Sequence, residues 1–147
     1  MDFEIKKFSE LSTEELYKIL KARIDVFVVE QNCPYEECDN KDYESYHLFY
    51  RKDDKMIAYL RIIPAGISYP EPSIGRVLVD KDHRRRGIAL EMMEKAIDFV
   101  ENNIGADSIR LSAQKYLLNF YEELGFAKVS GEYLEDGIPH IEMLYTY

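Results

Sequence analysis

The sequence predicts an α/β domain built on a mixed sheet, and three observations carry that prediction. Short runs of alternating apolar and polar residues recur along the chain, as half-buried strands require. One long apolar stripe with helical spacing, Ile88 to Ile104, sits between two strand candidates. The resulting order is β, α, irregular, β, β, β, α, β, α, β, β, which contains hairpins and at least one strand–helix–strand crossover. With 147 residues, 46% of them hydrophobic, the chain can bury one sizeable core, so residues 1–147 are expected to form a single domain.

Phe3, Ile5 and Phe8 interleave with Glu4, Lys6 and Lys7 as a short first strand. Ser12-Thr13-Glu14-Glu15 reads as a capping box, and Leu16, Ile19, Leu20, Arg23, Ile24 and Phe27 then follow at helical spacing to about Val29. Residues 30–43 are polar and contain Pro34, predicting a loop or a broken second helix. Tyr46 to Tyr50 and Met56 to Ile63 are strands joined by a turn at Lys52-Asp53-Asp54-Lys55. Pro64, Gly66, Pro70 and Pro72 mark a surface loop before a strand from Ile74 to Val79. The helix carrying Ala89, Met92, Met93, Ala96, Ile97, Val100 and Ile104 stops at Gly105. Ser108 to Ala113 is a strand, and Tyr116 to Leu124 is a short helix closed by Gly125. Ala127 to Tyr133 and Ile138 to Tyr145 form a hairpin about Asp136-Gly137.

Composition excludes several classes of function. No apolar run reaches the roughly eighteen residues that a membrane helix needs, and MDFEIKKFSE is unlike a signal peptide, so no membrane partner and a cytoplasmic location are expected. Two cysteines, Cys33 and Cys38, are too few for a disulfide scaffold; with His47 they offer at most a partial zinc set, so no metal is expected. A net charge of -9 argues against a nucleic-acid partner. Within that acidic chain, Lys81-Asp82-His83-Arg84-Arg85-Arg86 places four cations beside one anion. Such an island suits a compact anion such as a phosphate cluster, and a solvated basic turn is the rival reading.

The crossover concentrates the chemistry. A buried strand, Val77-Leu78-Val79, leads into the basic loop, then Gly87, then the start of the long helix at Ile88-Ala89. A helix N-terminus presents unpaired N–H groups and partial positive charge, and a glycine there admits close approach of an anion. Arg84, Arg85 and Arg86 would add attraction and bidentate contacts. This is a diphosphate cradle without the glycine pattern of a P-loop or of a dinucleotide site.

The run Val77-Leu78-Val79 followed by Arg84-Arg85-Arg86-Gly87-Ile88-Ala89 resembles the (Q/R)-x-x-G-x-(G/A) element of the GNAT superfamily of N-acetyltransferases. Asn119-Phe120-Tyr121-Glu122-Glu123-Leu124-Gly125-Phe126 resembles its second element, shortened in front. Val26 to Tyr35, Ile74-Gly75-Arg76-Val77 and Glu135-Asp136-Gly137-Ile138-Pro139-His140 are similar to the ElaA-like branch. The resemblance implies a single-domain GNAT-like fold: a mixed, mostly antiparallel sheet with flanking helices and a parallel strand pair, Val77 to Val79 and Ser108 to Ala113, that splays apart. It also implies acetyl-CoA as co-substrate. The pantetheine arm would bond to Val77, Leu78 and Val79, an N–H near Leu78 would polarise the thioester carbonyl, and the diphosphate would rest on Arg85 to Ala89. Asn119 would contact the arm. Tyr121 would return a proton to the departing thiolate, since a phenol titrates near a thiol.

The acceptor partner implied is a small-molecule or peptide amine, attacked directly in a ternary complex. Arg76 stands near the place where many relatives carry an acidic residue, which leaves Glu30, Asp39, His47 and His140 as candidates for the general base. Tyr35, Glu36, Glu37, Asp39 and Asp42 give the acceptor side an acidic, aromatic character that points to a cationic amine. A homodimer stands among the expected assemblies. The rival functional readings are a non-catalytic acyl-CoA sensor that keeps the cradle without turnover, and a nucleic-acid contact through the basic loop.

Overall fold

The computed structural model describes residues 1–147. Strand β1 (Glu4–Lys7) precedes helix α1 (Thr13–Arg23), which opens on the capping box expected from the sequence. Glu15 N–H donates to Ser12 Oγ at 3.0 Å, and Ser12 N–H donates to Glu15 Oε1 at 2.8 Å. The helical path continues over Ile24–Glu30 in wider turns, with Gln31 N–H donating to Val26 O and Cys33 N–H to Val28 O, each at 3.1 Å. The polar stretch that follows is extended apart from one short helical turn at Lys41–Glu44, so the loop alternative holds and there is no second helix.

Strands β2 (Tyr46–Lys52), β3 (Lys55–Ile63) and β4 (Ser73–Val79) form an antiparallel meander. The β2–β3 turn is tighter than expected: both strands run to the two residues Asp53 and Asp54, whose φ angles of 51° and 66° suit a two-residue hairpin. Helix α2 (Ile88–Phe99) continues through wider turns to Ile104 and crosses to β5 (Ser108–Gln114), parallel to β4. Helix α3 (Leu118–Glu123) and the hairpin β6 (Ala127–Glu135) and β7 (Ile138–Thr146) complete the chain. The sheet order is β1-β2-β3-β4-β5-β7-β6. No helix is long and apolar enough to cross a membrane.

The alternation seen in the sequence decides which face each strand side chain takes. Leu48, Leu60, Ile62, Ile109, Leu111 and Met143 point to one side, where α2 buries Met92, Met93, Ala96 and Val100 in a cluster of 19 residues. A smaller cluster of five, Ile19, Phe49, Met56, Tyr59 and Leu78, sits under α1 on the opposite side. Gly125 ends α3 at φ 106°, where an added Cβ would lie 3.0 Å from the Tyr145 ring. Both the left-handed backbone and the close approach require glycine there.

Candidate active site

The parallel pair β4 and β5 scarcely pairs. Its one ladder position is Ser73 opposite Arg110, supported by Arg110 N–H to Pro72 O at 3.0 Å, and beyond it the strands part. The edge of β4 that faces β5 is therefore open from Ile74 onward, a row of main-chain groups ready to pair with an extended ligand. Within that stretch β4 carries an extra residue: Arg61 pairs with Gly75 and Tyr59 with Leu78, so three steps on β4 match two on β3. Arg76 at φ 53° absorbs the insertion. A bulge at this place interrupts the β3–β4 ladder between Gly75 and Leu78, and a non-glycine residue held at positive φ is strain that the surrounding structure must support.

The gap leads into one cavity of about 990 Å³, reaching from the start of α2 to the β6–β7 hairpin. Gly87 precedes α2 at φ 77°, and nothing lies within 4 Å of a Cβ built on it. The first helical bond is Glu91 N–H to Gly87 O at 3.1 Å, so the N–H groups of Ile88, Ala89 and Leu90 have no acceptor within the helix. These groups and the macrodipole face the same end of the cavity.

Of the residues singled out from the sequence, Val77, Leu78, Val79, Arg84, Arg85, Gly87, Ile88, Ala89 and Tyr121 line this cavity. Arg86 is exposed and outside it. Asn119 is a correction: it lies on the exposed side of α3 and does not line the cavity. Residues two apart on a helix point about 200° from each other, so with Tyr121 turned inward Asn119 must turn outward. The amide that does line the cleft is Gln114, the last residue of β5, which bonds Gln31 across the opening at 3.3 Å. Its place follows from strand parity, since Ile109, Leu111 and Ala113 face the core and Ser112 and Gln114 the other side.

Arg84 is not a free cation. Its guanidinium makes two bonds to the Glu30 carboxylate, at 2.7 and 2.9 Å, and a third to Val79 O at 3.0 Å. The Arg84 hydrogen bonds hold Glu30 below the usual carboxylate range. Tyr121 is buried between Phe120 and Phe126, edge-on to both rings. Burial pushes its phenol well above the usual range, so it stays protonated.

The part of the cavity lined by residues 35–39 is not the anionic patch that its composition suggested. Arg23, wholly buried, bonds Glu37 Oε1 at 2.6 Å and Asp42 Oδ1 at 2.8 Å. Arg61 bonds Asp39 at 2.8 and 2.6 Å and Asp42 at 3.0 Å, and Arg76 bonds Glu37 at 3.0 Å while lying over the Tyr35 ring. Three arginines thus face three carboxylates, and only the buried Arg61 Nε lacks a partner. Burial opposes the charge on Asp39, but Arg61 outweighs it and holds the carboxyl far below its usual range. Composition counts the acids in residues 35–42 but not the arginines that α1, β3 and β4 bring to them. The missed signal was Arg23 standing on the apolar stripe of α1.

His47 is completely buried, with Nδ1 2.7 Å from the Tyr59 hydroxyl and Nε2 3.0 Å from Asp42 O, and it does not line the cavity. Burial lowers its pKa. His140 does line the cavity. Cys33 lines it as well, Cys38 is exposed, and both thiols are free.

Comparison with known proteins gives a consistent result. The acetyltransferase (GNAT) domain family matches residues 9–147. A UPF0039 protein of Schizosaccharomyces pombe is 41% identical, over 97% of this chain and 95% of its own. Protein ElaA of Escherichia coli is 39% identical over 92% of this chain and 90% of its own. The crystal structure of E. coli ElaA superimposes with a TM-score of 0.90 at 36% identity, covering 99% of both chains. That of an acyl-CoA N-acyltransferase from Pseudomonas aeruginosa reaches 0.92 at 37% identity, again over 99% of both.

Proposed function

Because the chain belongs to the GNAT acetyltransferase family, whose chemistry is acyl transfer from an acyl-CoA, we propose that it is an acetyl-CoA-dependent N-acetyltransferase. In this reading residues 1–147 act as one domain, and the acceptor is a primary amine of a small molecule or peptide, acylated by direct attack in a ternary complex. The observation that carries the reading is the junction of three features in one cavity: the unpaired edge of β4, the bulge at Arg76, and the open N-terminus of α2.

Each feature suits one part of the donor. The amides of Ile88, Ala89 and Leu90, with Arg85 beside them, would hold a diphosphate, and Gly87 leaves room for it. Val77, Leu78 and Val79 would take an extended pantetheine arm as an added strand, with Gln114 on the far side of the gap. The donor supplies a thioester, which is already reactive, so positioning carries most of the rate gain. An amide in the bulge near Leu78 would hold the carbonyl oxygen as negative charge develops, a contribution on the order of 10²–10³ in rate for one such donor. Tyr121, kept neutral by its apolar surroundings, would give its proton to the thiolate. Arg84, tied to Glu30, acts in this account by anchoring the loop to the end of the α1 helical path.

Calorimetry with acetyl-CoA, followed by a panel of primary amines read by thiol release and product mass, tests the reading. Saturable binding, turnover with at least one amine and an N-acetyl product are expected, with no acetyl group on Cys33 during turnover. Binding without thiol release above background for any amine would leave a sensor rather than a transferase. A kinetically competent acetyl-Cys33 would replace direct attack by a covalent route.

A further inference from the structure

We propose that His140 is the general base of this site, taking a proton at Nε2 from the incoming amine, with Glu135 as its charge partner. The inference rests on the transferase reading and deepens it, since that reading leaves the amine's proton without a destination.

Four side chains were candidates for this role on sequence grounds, and the structure commits three of them elsewhere. The Glu30 carboxylate is held by Arg84 at 2.7 and 2.9 Å. Asp39 is chelated by Arg61 and pressed far below its usual range, which makes it a weak base. His47 has both ring nitrogens engaged in the core, away from the cavity.

His140 differs on each count. It pairs with Gln114 across β5 and β7, so it stands where β5 ends and the β4–β5 gap is open. Its Nδ1 lies 2.7 Å from Ile138 O, an acceptor only, so Nδ1 carries the hydrogen and Nε2 holds the lone pair in the neutral ring. The ring stacks on Tyr133 with planes 26° apart, which fixes its orientation. Glu135 Oε2 lies 3.3 Å from Nε2 and is half exposed at the rim. A histidine buried to 6% exposure yet lining the cavity, with a set tautomer and a carboxylate at its free nitrogen, has the parts of an oriented base. The titratable groups around it are Glu135 and Asp136 in the hairpin, Tyr133 on β6, Glu142 on β7, Cys33 after α1, and Tyr69 in the β3–β4 loop, whose phenol burial pushes up to about 12. The cation on this stretch of β5, Arg110, is already held by Glu71 and Glu142.

The protons and electron pairs balance. His140 Nε2 removes one proton from the arriving ammonium, and the freed nitrogen lone pair forms the C–N bond. The C–S pair leaves as thiolate, and the second nitrogen proton reaches it by way of the Tyr121 phenol. The proton on His140 forms an ion pair with Glu135 and then passes to solvent at the rim.

The test compares two amines on the wild type and His140→Asn, which keeps a donor for Ile138 O and loses Nε2. n-Butylamine arrives protonated at pH 7, and O-methylhydroxylamine arrives neutral. With n-butylamine kcat/KM should fall about 100-fold, while the loss with O-methylhydroxylamine stays under about threefold. Glu135→Gln, a change at the exposed rim, should give the same selective loss at about fivefold, and it decides the matter if His140→Asn does not fold. Acetyl-CoA binding by calorimetry should match wild type in both variants. Equal losses for both amines, or none for n-butylamine, overturn the role of His140 and leave the transferase intact. A wild type that binds acetyl-CoA and releases no thiol with either these amines or the wider panel overturns the transferase reading and this inference with it.

Discussion

Against α2 the sheet is covered by a dry cluster of 19 buried residues, whereas against α1 only five apolar residues are buried. The space beside that smaller cluster is filled by Arg23, Arg61 and Arg76 facing Glu37, Asp39 and Asp42. The first face needs only volume and shape, and many apolar combinations would satisfy it. The second needs each partner, because a buried charge that loses its counter-ion costs several kcal/mol. The α1 face therefore holds its end of the cleft with directed bonds, and Arg76 belongs both to this network and to the bulge in β4. Stability and site geometry are coupled on that side by ion pairs, and on the other they meet only through apolar packing at Ile88 and Tyr121, which belong to both the cluster and the cavity lining.

The comparison can be broken most directly by stability measurements. Arg23→Ala should lower the unfolding free energy by about 3–5 kcal/mol in denaturant titration, since Glu37 and Asp42 are left buried and short of a partner. Met92→Ala on the dry face should cost about 3 kcal/mol through the cavity it leaves. The Arg23 variant should also weaken turnover in the material that remains folded, whereas the Met92 variant should not. Reversed signs would mean that the ion network is dispensable to the site.

Tyr121→Phe separates chemistry from packing. The phenol has no hydrogen-bond partner in the structure and its ring fills the apolar core. A drop of about 100-fold in kcat is expected, with acetyl-CoA affinity and thermal stability close to wild type. Unchanged kcat for an amine that turns over would reduce Tyr121 to packing.

Acidification acts on the charged face first. His47, buried and lowered below its ordinary pKa, must stay neutral in the fold. The unfolded chain binds the extra proton first, so stability should begin to fall below about pH 6.5. Asp39 and Asp42 are held low in the fold, so their contribution is present above the unfolded carboxylate range near pH 4 and is lost as pH falls through it toward their folded values. Chemical denaturation at a series of pH values should show both stages. Arg61→Met should flatten the lower one.

The smallest effect is expected at the rim. Glu30→Gln breaks a half-exposed pair and should change stability by less than about 1 kcal/mol. Acetyl-CoA affinity by calorimetry should shift only a few-fold, because the proposed function assigns the diphosphate to backbone groups rather than to the Arg84 guanidinium, which Glu30 and Val79 O already hold. A collapse of binding would place that ion pair within the binding site.

Much of the fold was legible because it is written in local periodicity. The capping box at Ser12, the stripe from Ile88 to Ile104 and the alternation in Ser108 to Ala113 each specify an element through neighbours in sequence. The open helix start at Gly87 was legible for the same reason, since strand, loop and helix start are contiguous. Asn119 was misplaced because its motif match ignored the helical angle between it and Tyr121. The meeting of His140 with Gln114 and with the Tyr133 ring was invisible because it occurs only when β5, β6 and β7 pair.

What the amino-acid order determined alone is therefore the set of elements, their apolar faces and the glycine turn that opens α2, all of which depend on interactions within a few residues. The tertiary structure alone decided which charges are spent on each other and which remain available. Arg23, Arg61 and Arg76 lie between 14 and 39 residues from the carboxylates they neutralise, and Coulomb and hydrogen-bond energies depend on distance in space rather than along the chain. The same reason sets His140, ordinary in the sequence, at the cleft with Ile138 O and the Glu135 carboxylate beside its two ring nitrogens.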